Sequence, residues 1–179
     1  MPYPTVIHLI TEEFGKAKLR TILVGGFAVN FYGVSRQTAD IDFLLCEADA
    51  PAAGEILLRA GYREQHRQET FARWHSVDIM LMDVDFLFVE SSTFETVWSE
   101  GSNTEVGGYS LRVPSLDHLI AMKLHALKHN PVARGQKDLM DIVSLAQHNQ
   151  LDMRSERYRS LCLRFGTEEI QRRILALIE

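Results

Sequence analysis

Up to about Val113 the spacing of hydrophobic positions switches repeatedly between helical and strand periods; after Pro114 only the helical period remains. From Thr5 to Leu19, residues Val6, Ile7, Leu9, Ile10 and Phe14 recur at the spacing of an amphipathic helix. Thr21 to Val24 is a short apolar run stopping at Gly25-Gly26, which predicts a strand entering a turn. A short helix over Phe27 to Tyr32 follows, with Gly33 suited to its C-terminal cap. Asp40 to Cys46 reads as a second strand and Pro51 to Ala60 as a helix stopped by Gly61. Tyr62 to Val89 alternates enough for two or three strands, of which Val77 to Met82 is the clearest. Tyr109 to Val113, entered through the Gly107-Gly108 turn, is another.

Ser115 can cap a helix running to about Lys128, and a second helix spans about Gln136 to Gln147. Two more follow Leu151, broken at Gly166 and restarted at the capping candidate Thr167. Mixed α/β elements first and helices last predict an α/β fold: an α/β core over residues 1–113, and a helical C-terminal part over 114–179 packed on it.

Composition narrows the function classes. The 179 residues are 46% hydrophobic and 24% charged, enough for a real core without staples. A net charge of −5 removes any global basic field, which argues against a dedicated nucleic-acid binder while leaving room for a local basic patch. Cys46 and Cys162 form no CxxC pair and read as two reduced, buried thiols. Met1 to Ile10 has no basic leader followed by a long apolar stretch, and no segment reaches the ~18 apolar residues of a membrane span. The expected location is the cytosol, with no membrane contact.

The carboxylates carry the candidate chemistry. In a strand, Asp40 and Asp42 point to one face, their Cα atoms roughly 6.6–6.8 Å apart. Two carboxylates so placed can converge on a hard divalent cation, Mg²⁺ or Mn²⁺, and would repel one another without it. Asp78, at the start of the apolar run Val77 to Met82, is the natural third member, because a carboxylate has no packing purpose there. A turn cap at Asp40 with Asp42 at a solvated edge is the alternative. The second Asp-x-Asp, Asp83-Val-Asp85, reads as a strand-end turn. Gly25-Gly26 sits between a strand and a helix, where backbone N–H groups can face a phosphate with no Cβ in the way. Asp40 follows Gly26 by fourteen residues, so a phosphate cradle and a metal pair fall on adjacent elements.

Leu23 to Gly33 (Leu-Val-Gly-Gly-Phe-Ala-Val-Asn-Phe-Tyr-Gly) followed by Arg36-Gln-Thr-Ala-Asp-Ile-Asp42 resembles the minimal nucleotidyltransferases of the DNA polymerase β superfamily, in their AbiEii/AbiGii-toxin-like branch. The resemblance implies a nucleotidyltransferase-type mixed sheet flanked by helices. It implies phosphate binding by Gly25 and Gly26, metal binding by Asp40, Asp42 and Asp78, and orientation of that strand and its loop by Arg36 and Thr38.

In the helical half, Lys123 lies on the apolar stripe of Leu116, Leu119, Ile120 and Leu127, where its ammonium must find an anion or snorkel to solvent. Asp138 can pair with Lys123 or Lys137, and Lys137 can equally pair with Asp141 on a surface helix. Lys123-Leu-His-Ala-Leu and Arg134-Gly-Gln-Lys-Asp-Leu-Met-Asp-Ile142 resemble the same branch, which implies that Lys123, Lys137 and Asp138 complete the nucleotide site. Full toxins of that branch are longer. His125 and His129 lack an accompanying acid and read as a solvated face; Trp74 and Trp98 read as core or cleft wall.

The function so implied is transfer of a nucleoside monophosphate from an NTP to an acceptor hydroxyl on RNA, protein or a small molecule. The alternative is a catalytically silent nucleotide-binding regulator, antitoxin-like, on the same fold.

Overall fold

The computed structural model describes residues 3–78 and 80–178. Its strands are β1 (Thr21–Leu23), β2 (Asp40–Cys46), β3 (Tyr62–Gln68), β4 (Phe71–Ser76), β5 (Asp83–Val89), β6 (Ser102–Val106) and β7 (Tyr109–Val113). The helices are α1 (Val6–Leu9), continued as a π-helical turn over Ile10–Phe14, then α2 (Gly25–Phe31), α3 (Ala50–Arg59), α4 (Ser91–Glu100), α5 (Leu116–His129), α6 (Pro131–His148), α7 (Glu156–Phe165) and α8 (Glu168–Ile178). The strands form one mixed sheet in the order β3-β4-β5-β2-β1-β7-β6, with β2/β5 and β1/β7 parallel and the other pairs antiparallel. Mixed sheet first and helices last is the expected α/β fold.

Two compact units emerge. The first comprises Met1–Ala28 with Gln37–Ser115, the second Val29–Arg36 with Leu116–Glu179. In the first, Ile41, Phe43, Leu45, Val84, Phe86 and Phe88 alternate onto one face of the central strands and pack with Ile10, Phe14, Ile56 and Leu57. Sheet residues of the other phase, Asp40, Asp42, Asp83 and Asp85, therefore share the opposite face.

In the second unit, Leu119, Ile120, Leu124 and Leu127 of α5, Ile142 and Leu145 of α6, Cys162 of α7 and Ile174 of α8 are buried. Val29–Arg36 groups with these helices for visible reasons. Arg36 ion-pairs with Asp141, and Asn149 donates to the Tyr32 carbonyl. Thr167 caps α8, its Oγ1 accepting from the Ile170 N–H at 3.2 Å. Among the described residues no helix is long and apolar enough to cross a membrane.

One strand assignment is corrected. Val77, Asp78 and Met80–Met82 form the turn between β4 and β5 rather than a strand; Ile79 lies outside the described residues. Asp78 closes this turn locally: its Oδ1 accepts from the Met80 N–H at 2.9 Å, and its own N–H donates to Ser76 Oγ at 3.1 Å. Such side-chain bonds offer the backbone an alternative to a ladder, and they leave Met80 82% exposed despite its apolar character. Conversely Asp83-Val-Asp85 is no strand-end turn but the beginning of β5. Two elements had no clear signal. The edge strand β6 is mostly polar, and α4 buries only Phe94 and Val97, so neither carries a strong hydrophobic period.

Candidate active site

The acidic face follows from strand register. Parallel pairing of β2 with β5 sets Asp40 beside Asp83 and Asp42 beside Asp85, continuing through Phe43/Phe86 and Leu44/Leu87. Neighbouring strands lie about 4.8 Å apart, so Asp42 and Asp85 meet side by side on one face. The third carboxylate beside the Asp-x-Asp pair is thus Asp85, not Asp78, which is exposed in its turn. A signal for this was present in the sequence. Asp-Ile-Asp-Phe-Leu-Leu and Asp-Val-Asp-Phe-Leu-Phe are twin patterns, as expected of parallel neighbours that present acids at the same end.

The glycine turn abuts this face. Val24 N–H donates to the Asp42 carbonyl at 2.9 Å, and Gly25 then adopts φ +60, a left-handed conformation that favours glycine. A Cβ on Gly25 would lie 1.9 Å from Asp42 Oδ2, and one on Gly26 would lie 2.8 Å from Thr38 Cβ. The Asp42 carboxylate therefore rests against bare backbone, and the two glycines leave room that any side chain would fill. Thr38 Oγ1 bonds Asp40 at both its carbonyl (3.0 Å) and its Oδ1 (2.9 Å), fixing the carboxylate's rotamer.

Arg73, which sequence reasoning missed, dominates the electrostatics. It lies directly opposite Asp85 on β4. Its Nε donates to Asp85 Oδ1 at 2.8 Å, and one Nη donates to Asp85 Oδ2 at 2.5 Å and to Asp40 Oδ2 at 3.2 Å. The hydrogen bond to Asp85, above all, holds the Arg73 guanidinium pKa above its ordinary value. One step along, His75 Nδ1 pairs with Asp83 Oδ1 at 2.8 Å. Among the described residues no three His, Cys, Asp or Glu side chains stand ready as a metal cage. Asp85 and Asp40 are instead bonded to the Arg73 guanidinium. In donor chemistry the face still fits a hard cation: carboxylate oxygens on adjacent strands, beside a Gly25 backbone where no Cβ intrudes.

The remaining candidates lie in the helical unit. Lys123 is buried, and its Nζ donates to Asp138 Oδ1 at 2.9 Å and Asp141 Oδ2 at 2.6 Å. It therefore does not snorkel to solvent, and of Asp138's two possible partners Lys123 is the one it meets. Arg36 Nε reaches Asp141 Oδ1 at 3.1 Å, so two cations balance two carboxylates; Asp138 Oδ2 is buried without a hydrogen-bond partner. A phosphate contact by Lys123 would mean giving up two charge-assisted bonds. Lys137 is instead exposed and, with Arg36, Val34, Val132 and Met140, lines an open groove of about 730 Å³. His125 and His129 are exposed, their ring centroids 4.3 Å apart; burial and the neighbouring His129 and Lys128 charges lower the His125 pKa.

Comparison with solved structures places this fold. The chain is similar to the antibiotic-resistance factor ANT(2'')-Ia, with a TM-score of 0.57 and 18% identity over 96% of this chain and 88% of that one. It is similar to the lincosamide antibiotic adenylyltransferase LnuA, with a TM-score of 0.55 and 17% identity over 78% and 93%. An antigenic nucleotidyltransferase-like protein from Paracoccidioides brasiliensis gives a TM-score of 0.56 and 10% identity over 96% and 91%. At such identities the likeness shows the fold alone, that of nucleotidyltransferases. No curated protein sequence matches the chain. The sequence itself goes further than the fold: residues 6–179, nearly the whole chain, match a family described as uncharacterised nucleotidyltransferase, and this protein belongs to it.

Proposed function

We propose that this protein transfers a nucleoside monophosphate from an NTP to an acceptor hydroxyl, using Mg²⁺ or Mn²⁺ held by Asp40, Asp42 and Asp85. The observation that carries this reading is the contact of Asp42 with the Cβ-free backbone at Gly25, with Asp85 in register across the next strand. A bound divalent cation would supply Lewis-acid charge to the triphosphate oxygens. The chain's own groups do the rest. Gly25 and Gly26 allow close approach of phosphate to backbone N–H groups. Thr38 holds the Asp40 rotamer. Asp85, once free of Arg73, can take the acceptor hydroxyl's proton at Oδ2 as that oxygen bonds to the α-phosphorus and pyrophosphate leaves. Catalysis then rests on positioning and electrostatics, with no covalent enzyme intermediate.

For the helical unit, we propose that Arg36 and Lys137 bind a phosphate-bearing ligand in the open groove, while Lys123 and Asp138 chiefly hold that groove's walls in place. The toxin-like branch assignment and a cytosolic location remain parts of the proposal carried by sequence alone. A silent nucleotide-binding regulator is the second reading, and one observation favours it: Arg73 already neutralises Asp85.

Labelled NTPs added with Mg²⁺ to a cell extract test the first reading. Label on RNA, on protein or in a low-mass fraction supports transfer and names the acceptor class. Antibiotics are acceptors to try in the low-mass arm, because LnuA is an antibiotic adenylyltransferase. No label anywhere, with NTP binding retained, leaves the silent regulator.

A further inference from the structure

The acidic face already contains a cation, and its geometry assigns that cation a task. Arg73 is a fork on two carboxylates at once: both Asp85 oxygens are engaged, and the same Nη reaches Asp40 Oδ2. Bidentate guanidinium–carboxylate pairing is strong and directional, so these two acids are held in defined rotamers. Asp85 is only 1% exposed, and a buried carboxylate requires a compensating charge. The Arg73 side chain is 39% exposed, so its head group has solvent to move into without displacing core side chains. Its neighbours in sequence, Ala72 and Trp74, are buried in the core cluster, which fixes the backbone from which it swings.

We propose that Arg73 is an exchangeable counter-cation: it occupies the seat of the divalent metal and must release Asp85 and Asp40 as the metal binds. The inference rests on the metal seat assigned above. A guanidinium and a metal ion on the same carboxylate oxygens repel one another, so each weakens the other's hold on Asp85 and Asp40. Arg73 thereby makes the cluster tolerable in the metal-free protein and weakens metal affinity relative to the same carboxylates without it.

The test is a Mn²⁺ titration followed by the EPR signal of free Mn²⁺, on the wild-type protein, Arg73→Met and Arg73→Lys, with thermal melts alongside. Arg73→Met is expected to bind Mn²⁺ about tenfold tighter or more, since a competing unit charge is gone. Its metal-free form melts lower than wild type and recovers on Mn²⁺ addition; Arg73→Lys falls between. Equal or weaker Mn²⁺ affinity in Arg73→Met makes Arg73 a permanent strut and overturns the exchange alone. Absence of Mn²⁺ binding by all three proteins overturns the metal seat and the exchange with it. Should Arg73→Met not fold, the wild-type protein decides. The arginine Nε–H resonance missing from the Arg73→Lys spectrum must shift when Mg²⁺ binds, and an unmoved resonance at saturation overturns the exchange.

Discussion

Two charge clusters in this chain use the same residue types to opposite ends. On the sheet, three aspartates face one arginine, and Asp42 rests against a glycine backbone that leaves space beside it. In the helical unit, Asp138 and Asp141 face Lys123 and Arg36. Lys123 is only 6% and Asp138 only 3% exposed, and the charges balance. The first cluster sets three carboxylates against one guanidinium at strand ends; in the second, Lys123 is enclosed between Asp138 and Asp141, and Arg36 and Asp141 border the open groove. What separates a candidate reaction centre from a structural ion network is the charge left over and the room beside it, not the presence of buried acids.

The largest expected effect separates the clusters by activity. Asp42→Asn should lower nucleotide transfer by about 10²–10³-fold or more while the melting temperature stays near wild type. Full activity in that variant would reduce the acidic face to another structural network. Lys123→Met tests the other cluster through stability: leaving two buried carboxylates without their lysine should cost about 3–5 kcal/mol in denaturant unfolding. The double variant Lys123→Met/Asp138→Asn should lose less, since one stranded charge is also removed; equal losses would remove the pairing from the account.

Two further expectations are smaller. In α7, Cys162 and Tyr158 are buried four residues apart. Burial pushes the Cys162 thiol from 9.0 to about 11, and burial with a hydrogen bond to Asp117 pushes the Tyr158 phenol from 10.0 to about 12. Both groups are neutral below those values. The unfolded chain ionises first, so stability should fall as pH rises from about 9 to 12, by an order of 2–3 kcal/mol for each group. A Cys162→Ala/Tyr158→Phe variant should show a flatter profile across that window; an equal slope would assign the loss to other groups. Smallest of all, Asp78→Ala should change transfer by less than about twofold and stability by at most about 1 kcal/mol, the loss of its turn bond. A large drop in activity would return Asp78 to the site in place of Asp85.

The resemblance of Leu23–Asp42 led to the nucleotidyltransferase fold and family, though not to a branch within it, because its parts are local: a strand, a glycine turn, and a strand opening with Asp-x-Asp. Thr38 was legible for the same reason, lying two residues before the carboxylate it bonds. Asp85 and Arg73 were not. Asp85 depends on which strand lies beside β2, and Arg73 on which lies beside β5, and both are matters of sheet order. The apolar run Val77–Met82 misled because a hydrophobic stretch of six residues fits a strand or a turn equally well until Asp78's own hydrogen bonds decide. Lys123 was singled out for its place on an apolar stripe, yet its partner Asp141 is eighteen residues away, chosen by the packing of α5 against α6.

By itself the sequence determined periodicity, the glycine junction and the alternation that sets Asp40 and Asp42 on one face, because each depends on backbone geometry over a few residues. Tertiary structure alone decided which third acid joins them, which cation sits on it, and which lysine closes into an ion network. Those are pairings between distant segments, fixed by strand register and helix packing.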